Sequence, residues 1–600
     1  MSDVQDAGYW QGRTAGRVSR RGVLRAGVTS LAGGAALGLF GCSGSKGTTG
    51  NKRANPTPAT TPSAGSAAAS APRTSLPAGD FKTGGVIQGV YHVAPLNPND
   101  NLDPVASGSV RFFVPQTFSG FHYSRLFRFN SGPDPQTSLS REPVPDLVSS
   151  YEVSADGLSF TMKLRQGVTF HPPLSRALTA ADVKASWDYF TTSTANPNRD
   201  VYAQIVDSLT TPDAGTLVFT LKHPYAPFLN KLADPSYLWI MPQEATVAGS
   251  ELAHRPAGTG PWIYTGQTPT AVNWKKNPDY FLKGIPFADG VQLNIIGDTA
   301  TQEGQFIAGR LDLLDVPPGD VPVIQNTVPG AVAVEYVPRG LNFLFFSNVQ
   351  DPNSPFMDPR VRQAASLAID RQALLDSIYQ GRGVWGNIVP PGLGKWSLDP
   401  RSKEQGESGK WFKQDIKGAR QLLAAAGYLN TEFKFLYTNN GYGPAFNATA
   451  DAVGRMLADA GFKVTPVTVD YLSAYINGGQ GIFNKGAPPN TIVYALQSPF
   501  IEADEYLTGM LTRGGNRNHD LLDDPALAAL IQKQQVELDE NKRLQLVYDI
   551  QRLHAEKMYY PPGIYAKSYV MRQPWVQNYF LADDLNFGTE SLAYMSVNNR

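Results

Sequence analysis

The side chains best suited to bind a metal or attack a carbonyl in this 600-residue chain are seven histidines, His92, His122, His171, His223, His254, His519 and His554, and one cysteine, Cys42. Metal sites draw their ligands from short spacings such as His-x-x-x-His or a His-Glu pair on one helix. None of the histidines has such a neighbour. There is no Gly-x-Ser-x-Gly elbow. The glycine clusters Gly258-Thr259-Gly260 and Gly478-Gly479-Gln480-Gly481 lack the strand, lysine and helix of a phosphate loop. Carboxylates are abundant, but none stand out as an acid and base pair. These residues predict a protein that catalyses no reaction, holds no metal and needs no cofactor. His171 and the glycines are expected to be structural.

What the chain does carry is aromatic surface. Phe, Trp and Tyr make up 11% of it, and several of these rings fall in predicted loops. Trp385 and Trp396 flank Pro390-Pro391-Gly392. Tyr442 follows Asn439-Asn440-Gly441 at the end of a strand, and Tyr494, Gln497 and Phe500 lie at the end of another. Aromatic faces beside amide side chains suit a cleft that encloses a polar organic solute. The candidate ligand-binding residues are therefore Trp385, Trp396, Asn439, Tyr442, Tyr494, Gln497 and Phe500.

Positioning these residues requires a framework of strands and helices. Tyr151 to Phe170 predicts a hairpin, with a turn at Ala155-Asp156-Gly157 and alternating Phe160, Met162 and Leu164. Thr179-Ala180-Ala181-Asp182 matches a capping box, and Val183, Ser186, Trp187 and Phe190 follow at helical spacing. Asp358-Pro359 opens a helix expected to run unbroken to just before Gly381, its apolar stripe formed by Val361, Ala364, Ala365, Ala368, Leu375 and Ile378. Phe433–Tyr437 as a strand, Pro444–Ala460 as a helix and Phe462–Val467 as a strand make a βαβ unit. Thr491–Leu496 adds a third strand, and a helix over 541–557 closes an α/β region with a parallel sheet.

The N-terminus carries the features of an export signal. Arg20-Arg21 precedes an almost uncharged run from Ala26 to Gly41 that ends Leu39-Phe40-Gly41-Cys42. The run is too short and glycine-rich for a spanning helix, which needs about 20 apolar residues. The arginine pair resembles the twin-arginine export motif, and the last four residues resemble a lipobox, in which cleavage leaves a lipid-bearing cysteine. Residues 1–41 are thus expected to be a signal peptide and Cys42 the lipidation site. Residues 42–80, rich in Ser, Gly, Thr, Pro and Ala, are expected to be a disordered linker. Lys+Arg and Asp+Glu both number 52, so nothing suggests a basic footprint for nucleic acid.

Four blocks spread over roughly residues 84 to 600 resemble the peptide- and nickel-binding family (family 5) of extracytoplasmic solute-binding proteins of ABC transporters. They are Pro145-Asp146-Leu147-Val148 leading through Tyr151 to Val183; Gly258-Thr259-Gly260-Pro261-Trp262 with Lys276-Asn277-Pro278-Asp279-Tyr280 and Gly309-Arg310-Leu311-Asp312; Pro355 to Ala364 with Ala368-Ile369-Asp370-Arg371; and Ala419 to Tyr428. The resemblance implies an α/β, two-lobed periplasmic-binding-protein fold (type II) with an inserted subdomain in the first lobe. The lobes are expected at 81–335, with the insert at about 121–245, and at 336–560, with a return to the first lobe over 561–600. Gly340 to Ser347 would be the crossover and Leu341–Phe346 a buried hinge strand, while Arg360, Arg362 and Asp370 would hold the lobes together.

By the same resemblance, the partners are a peptide or similar small polar solute and ABC permease subunits. The protein would be a monomer outside the cytoplasm, tethered to the cell membrane by its lipid. An oligosaccharide or a metal chelate is the alternative ligand on this fold, and an extracytoplasmic enzyme the remote one. Peptide-binding relatives present an aspartate to the peptide's ammonium group. Gln497 or Ser498 stands about where that aspartate would be, with Glu502 a few residues on. Little preference for free N-termini follows, with the Tyr494 ring lining the cleft.

Overall fold

In Ser159–Leu164 the apolar residues Phe160, Met162 and Leu164 are buried and Lys163 is exposed, the period-two pattern of a strand covered on one face. It pairs antiparallel with Val148–Val153, across a turn in which Gly157 has φ 70° and Ser154 Oγ donates to Asp156. Thr216–Leu221 and Val206–Asp213 extend the sheet on the other side. The helix Ala180–Thr192 lies against it, with Trp187 edge-on to Phe219 at 5.3 Å. The Thr179 N–H and hydroxyl both donate to Asp182, each at 3.0 Å. Arg176 donates to the same carboxylate at 2.6 Å, so the capping residue is also a buried ion-pair partner. This sheet, its helix and the core around Phe160, Phe219 and Phe228 form the inserted subdomain.

The computed structural model describes residues 69–70, 81–91, 101–105, 118–130, 142–196, 198–497, 499–579, 581 and 589–598. The export signal, Cys42, His92 and Ser498 lie outside the described residues, as does the linker apart from Ala69–Ser70, which pairs with Ser150 and Tyr151 at the edge of the subdomain sheet.

The first lobe is built on two further sheets. One runs in the order Val86–Tyr91, Gly290–Ile295, Ala271–Lys276, Trp262–Thr268, with the first pair parallel. The other places Ser568–Arg572, from the far end of the chain, between Leu313–Val316 and Val332–Tyr336. The second lobe holds Leu341–Phe346, Thr491–Gln497, Glu432–Thr438 and Lys463–Val469 in that order. Its last three strands are parallel and the first is antiparallel to its neighbour. The helix Pro444–Asp459 supplies the crossover of the βαβ unit. The fold is the two-lobed α/β class expected.

Three details differ from expectation. Leu341–Phe346 is not a hinge strand: it pairs along its whole length with Thr491–Gln497 inside the second-lobe core. The chain instead crosses at residues 337–340 and again at Lys567, between Ile564–Ala566 of the second lobe and Ser568–Arg572 of the first. Lys567 bonds Glu335 at 2.6 Å beside these crossings. The expected helix from Asp358 to Gly381 is two helices, Pro359–Ala368 and Arg371–Tyr379. Asp370 caps the second by accepting from Ala373 N–H at 2.9 Å, and the break turns Arg371 inward. There its guanidinium donates to the carbonyls of Pro562 and Phe412 at 2.7 and 2.6 Å. Arg362 binds Lys557 and Met357 carbonyls, and Arg360 binds Asp358. With Asp370, these residues brace the second lobe internally and do not tie it to the first.

Candidate functional site

The second-lobe sheet ends at Gln497, and the chain then turns through Phe500 into the helix Ala503–Leu511. Glu502 caps this helix, and Asp504 and Glu505 occupy its first turn, where carboxylates are favoured by the helix dipole. The inserted subdomain meets this turn with Tyr225, Lys231 and Tyr237. Tyr225 Oη donates to Asp504 at 2.7 Å, while Lys231 Nζ and Tyr237 Oη donate to Glu505 at 3.0 and 2.6 Å. Ala226 N–H donates to the Gln535 carbonyl at 2.7 Å. Between the two surfaces lies a cavity of about 280 Å³, lined from the subdomain side by Gln204, His223 and these three residues and from the other by Phe500, Thr508, Asn516 and the two carboxylates.

The cavity wall carries buried charge. Burial opposes the charge on Lys231, but Glu505 and then Asp504 more than offset it, and its pKa is raised. Asp234, one turn along, is pushed up to about 7 by burial and by the nearby Glu505. Burial and adjacent carboxylates also raise Tyr225 and Tyr237, keeping both as neutral donors. Glu505 Oε1 takes both hydrogen bonds, whereas its Oε2 is buried with no hydrogen-bond partner. The arrangement can receive a polar, hydrogen-bonding solute. Among the described residues no group of three or more His, Cys, Asp or Glu side chains is placed to hold a metal ion.

Of the seven residues singled out in the sequence, Phe500 lines this cavity. Its N–H donates to Tyr506 Oη at 2.9 Å, and its ring stands edge-on to Tyr506. Tyr442 is half-buried at a second group of rings, 5.3 Å from Tyr471, and Asn439 is exposed nearby. Trp396 lies under the Arg543 guanidinium at 4.6 Å, and Trp385 pairs with Ile564 in a short two-stranded sheet beneath Arg401. Tyr494 and Gln497 do not face the cavity. Tyr494 is 2% and Gln497 0% exposed, because both faces of Thr491–Gln497 are covered. Glu502 is not available as an ammonium anchor, since it is buried against Arg543 at 2.6 Å. The carboxylates that face the cavity are Asp504 and Glu505. Sequence reasoning missed Tyr225, Lys231 and Tyr237, whose partners lie 268 to 279 residues away.

His171 and Gly258 serve the framework, whereas His223 lines the cavity. His171 Nε2 lies 2.9 Å from the Gly260 carbonyl oxygen, and burial pushes its pKa down to about 4. A Cβ at Gly258 would stand 1.8 Å from the His122 carbonyl oxygen, so only glycine permits that approach.

A two-lobed α/β molecule with a polar cavity between its parts is a ligand-capturing fold. A family model described as bacterial extracellular solute-binding proteins, family 5 (middle), matches residues 142–516, and the chain belongs to that family. It is 27% identical over 459 residues to heme-binding protein A of Haemophilus influenzae, covering 69% of this chain and 78% of that protein. It is also 27% identical over 485 residues to di/tripeptide-binding protein 2 of Pseudomonas aeruginosa, covering 75% and 87%. The periplasmic binding protein DppA of Helicobacter pylori, solved with the peptide STSA, shares the fold at a TM-score of 0.67 and 22% identity, over 86% of this chain and 98% of that one.

Proposed function

We propose that this protein is a membrane-anchored solute-binding lipoprotein that captures a compact zwitterionic solute, such as a short peptide, and delivers it to an ABC permease. The cavity between the inserted subdomain and the second lobe carries this reading, because it is enclosed by aromatic rings and buried charges from two parts that can separate. Its volume of about 280 Å³ lies at the lower edge of the ~300–1,000 Å³ of small-molecule sites. The wall presents Asp504 and Glu505 against Lys231. This excess of carboxyl groups suits a cationic end of the solute, and Glu505 Oε2 is the free acceptor for it. The relatives named for peptides support a peptide-like ligand, and the one named for heme keeps a larger ligand within the family.

The tether rests on Cys42 at the end of the apolar run, with Arg20-Arg21 ahead of it. In this reading the mature protein is a monomer held outside the cytoplasm by its lipidated first residue. A thermal-shift screen of the mature protein against peptide, sugar and metal-chelate pools tests the ligand class, since a ligand of the folded state raises the melting temperature by mass action. Stabilisation by short peptides is expected; stabilisation by sugars or chelates alone would replace the peptide reading. Cys42→Ser should release folded protein from the membrane fraction, and retention after alkaline washing would refute the lipid anchor.

A further inference from the structure

The sheet of the inserted subdomain ends differently on its two sides. On one side Val206–Asp213 is interrupted by register shifts between Val206 and Ser208 and between Thr210 and Asp213. It carries Asp207, Pro212 and Asp213, and Asp213 accepts from Gly215 N–H and the Thr216 hydroxyl at 2.8 and 2.7 Å. Bulges, proline and charge keep a further strand from adding to an edge.

Val148–Val153, on the other side, has little of this protection. Its one irregularity, between Val148 and Ser150, lies at its start, where the Ser149 hydroxyl donates to the Lys163 carbonyl at 3.1 Å. From Ser150 to Val153 the register with Ser159–Leu164 is unbroken. That stretch has no proline and one charge, Glu152. A regular edge presents a row of unpaired N–H and C=O groups. Here the chain's own upstream segment meets it: Ala69 stands opposite Tyr151 and Ser70 opposite Ser150, antiparallel, at the start of the regular stretch. Among the described residues no other strand pairs on that side. The composition of the linker fits this placement. Residues 66–71 are its longest run without glycine or proline, bounded by Gly65 and Pro72, and those two residue types weaken or end a ladder.

We propose that the outer edge of Val148–Val153 is a docking site for this chain's own linker, held at Ala69–Ser70, so that the tether leaves the protein from the inserted subdomain. The reach of the anchor changes with it. Between Cys42 and Ala69 lie 27 residue steps, against 39 between Cys42 and Phe81, where the first lobe begins. The fully extended span falls from about 140 Å to about 97 Å. The subdomain that supplies Tyr225, Lys231 and Tyr237 to the cavity is then the part held at the tether, and the second lobe is left free to move against it. The docking stands apart from the solute reading, and only the reach rests on the lipid anchor at Cys42.

Mature protein carrying Cys42→Ser has no other thiol, so an introduced cysteine pair reports the register. Opposed residues of an antiparallel pair have Cα atoms about 4.5–5.5 Å apart, within disulfide range. Ser70→Cys/Ser150→Cys should cross-link at least tenfold faster than Ala59→Cys/Ser150→Cys. Doubling the free length measured from Phe81 would by itself slow the reaction only about threefold. Hydrogen exchange gives a second measurement that needs no cross-link. Ser70→Pro removes a ladder donor outside the core, and at least one amide of Val148–Val153 should then exchange fivefold faster or more, with Ser159–Leu164 unchanged. Cross-linking rates within threefold of each other, or exchange unaltered by Ser70→Pro, would overturn the docking while leaving the solute and anchor readings intact. Cross-links that join two molecules would overturn it in favour of a second copy on the edge. Retention of Cys42→Ser in the membrane fraction would overturn the anchor and the reach derived from it, and the two measurements above would still decide the docking.

Discussion

Glu502 and Glu505 stand three residues apart at the start of one helix, and each meets a cation with little water around it. Glu502 pairs with Arg543 at 2.6 Å, both side chains 6% exposed; Glu505 pairs with Lys231 at 3.0 Å, both 8% exposed. Distance and burial hardly distinguish them. The difference is where the cation comes from. Arg543 belongs to the helix Glu540–Lys557 of the same lobe, so its pair persists however the lobes move. Lys231 belongs to the short helix Phe228–Ala233 of the inserted subdomain, so its pair exists only while the two surfaces meet. The first pair is part of a lobe's structure and the second is a latch across a cavity.

The sharpest way to test this contrast is to remove one cation at a time. Arg543→Met should destabilise the second lobe by roughly 3–5 kcal/mol, the cost of leaving a buried charge without its partner. Glu502 would keep only the Asp504 N–H as a partner, and Gln534 and the Trp396 ring would also lose contacts. Denaturant unfolding measures it, and the double variant Glu502→Met/Arg543→Met should recover most of the loss. A loss under 1 kcal/mol would mean that the pair is not as dry as its burial indicates.

Lys231→Met should act on closure instead. Truncating one member of a buried interfacial pair costs about 2–5 kcal/mol, and here that cost falls on the closed arrangement. Solute affinity should drop by tenfold or more, and the radius of gyration in solution should rise. Unfolding of the second lobe should change by less than about 1 kcal/mol. An equal loss in both measurements would abolish the distinction between latch and structure.

How much of this was legible in the sequence depended on the range of the interactions. The hairpin around Gly157, the capping box at Asp182 and the βαβ unit over 432–469 rest on contacts between near neighbours, and their periodicity and cap residues announce them. The break at Ile369 also had a local sign, an aspartate at 370 of the type that opens helices, but the apolar stripe running through it concealed it. The cavity had no local sign. Lys231 and Glu505 are 274 residues apart, and neither lies in a motif. Tyr494 misled for a related reason: an aromatic ring near a strand end suits a cleft, and only the covering of both sheet faces shows it to be core.

Protonation offers a finer probe of the same latch. Asp234 has a folded-state pKa raised to about 7, by burial first and by Glu505 second. A raised carboxyl pKa contributes stability that is fully present below the unfolded value near 4 and is lost as pH rises through about 7. Buried His171, His519 and His554 act the other way. Their pKa values, lowered to about 4, 3 and 3, cost stability as pH falls from about 6.5 toward those values. The difference between wild type and Asp234→Asn cancels the histidines. It should fall with rising pH between about 4 and 7, by no more than about 1.4 kcal/mol per unit, and be level above that window. A flat difference throughout would show that Asp234 ionises as freely as an exposed aspartate.

The smallest effect concerns a residue on neither pair. Tyr494 packs against Phe446 at 4.9 Å in the second-lobe core, and its hydroxyl is buried near Thr449 without a hydrogen bond. The Thr449 hydroxyl is engaged with Tyr379 at 2.9 Å and donates to the Ala445 carbonyl at 2.8 Å, and the Tyr494 phenol forms no hydrogen bond with it. An unpaired buried hydroxyl adds desolvation cost without a compensating bond. Tyr494→Phe should therefore leave stability within about 0.5 kcal/mol of wild type or raise it slightly, because the ring keeps its packing and the strained polar atom is gone. Solute affinity should stay within twofold, since the ring does not reach the cavity. Tyr494→Ala would cost fold stability through the space it empties in the core, with solute affinity affected only as far as the lobe loosens. Calorimetry and denaturant unfolding on the phenylalanine variant decide the matter: a loss of affinity beyond about tenfold, with stability unchanged, would place Tyr494 on the solute after all and make the sheet end, rather than the helix turn at Asp504 and Glu505, the centre of the site.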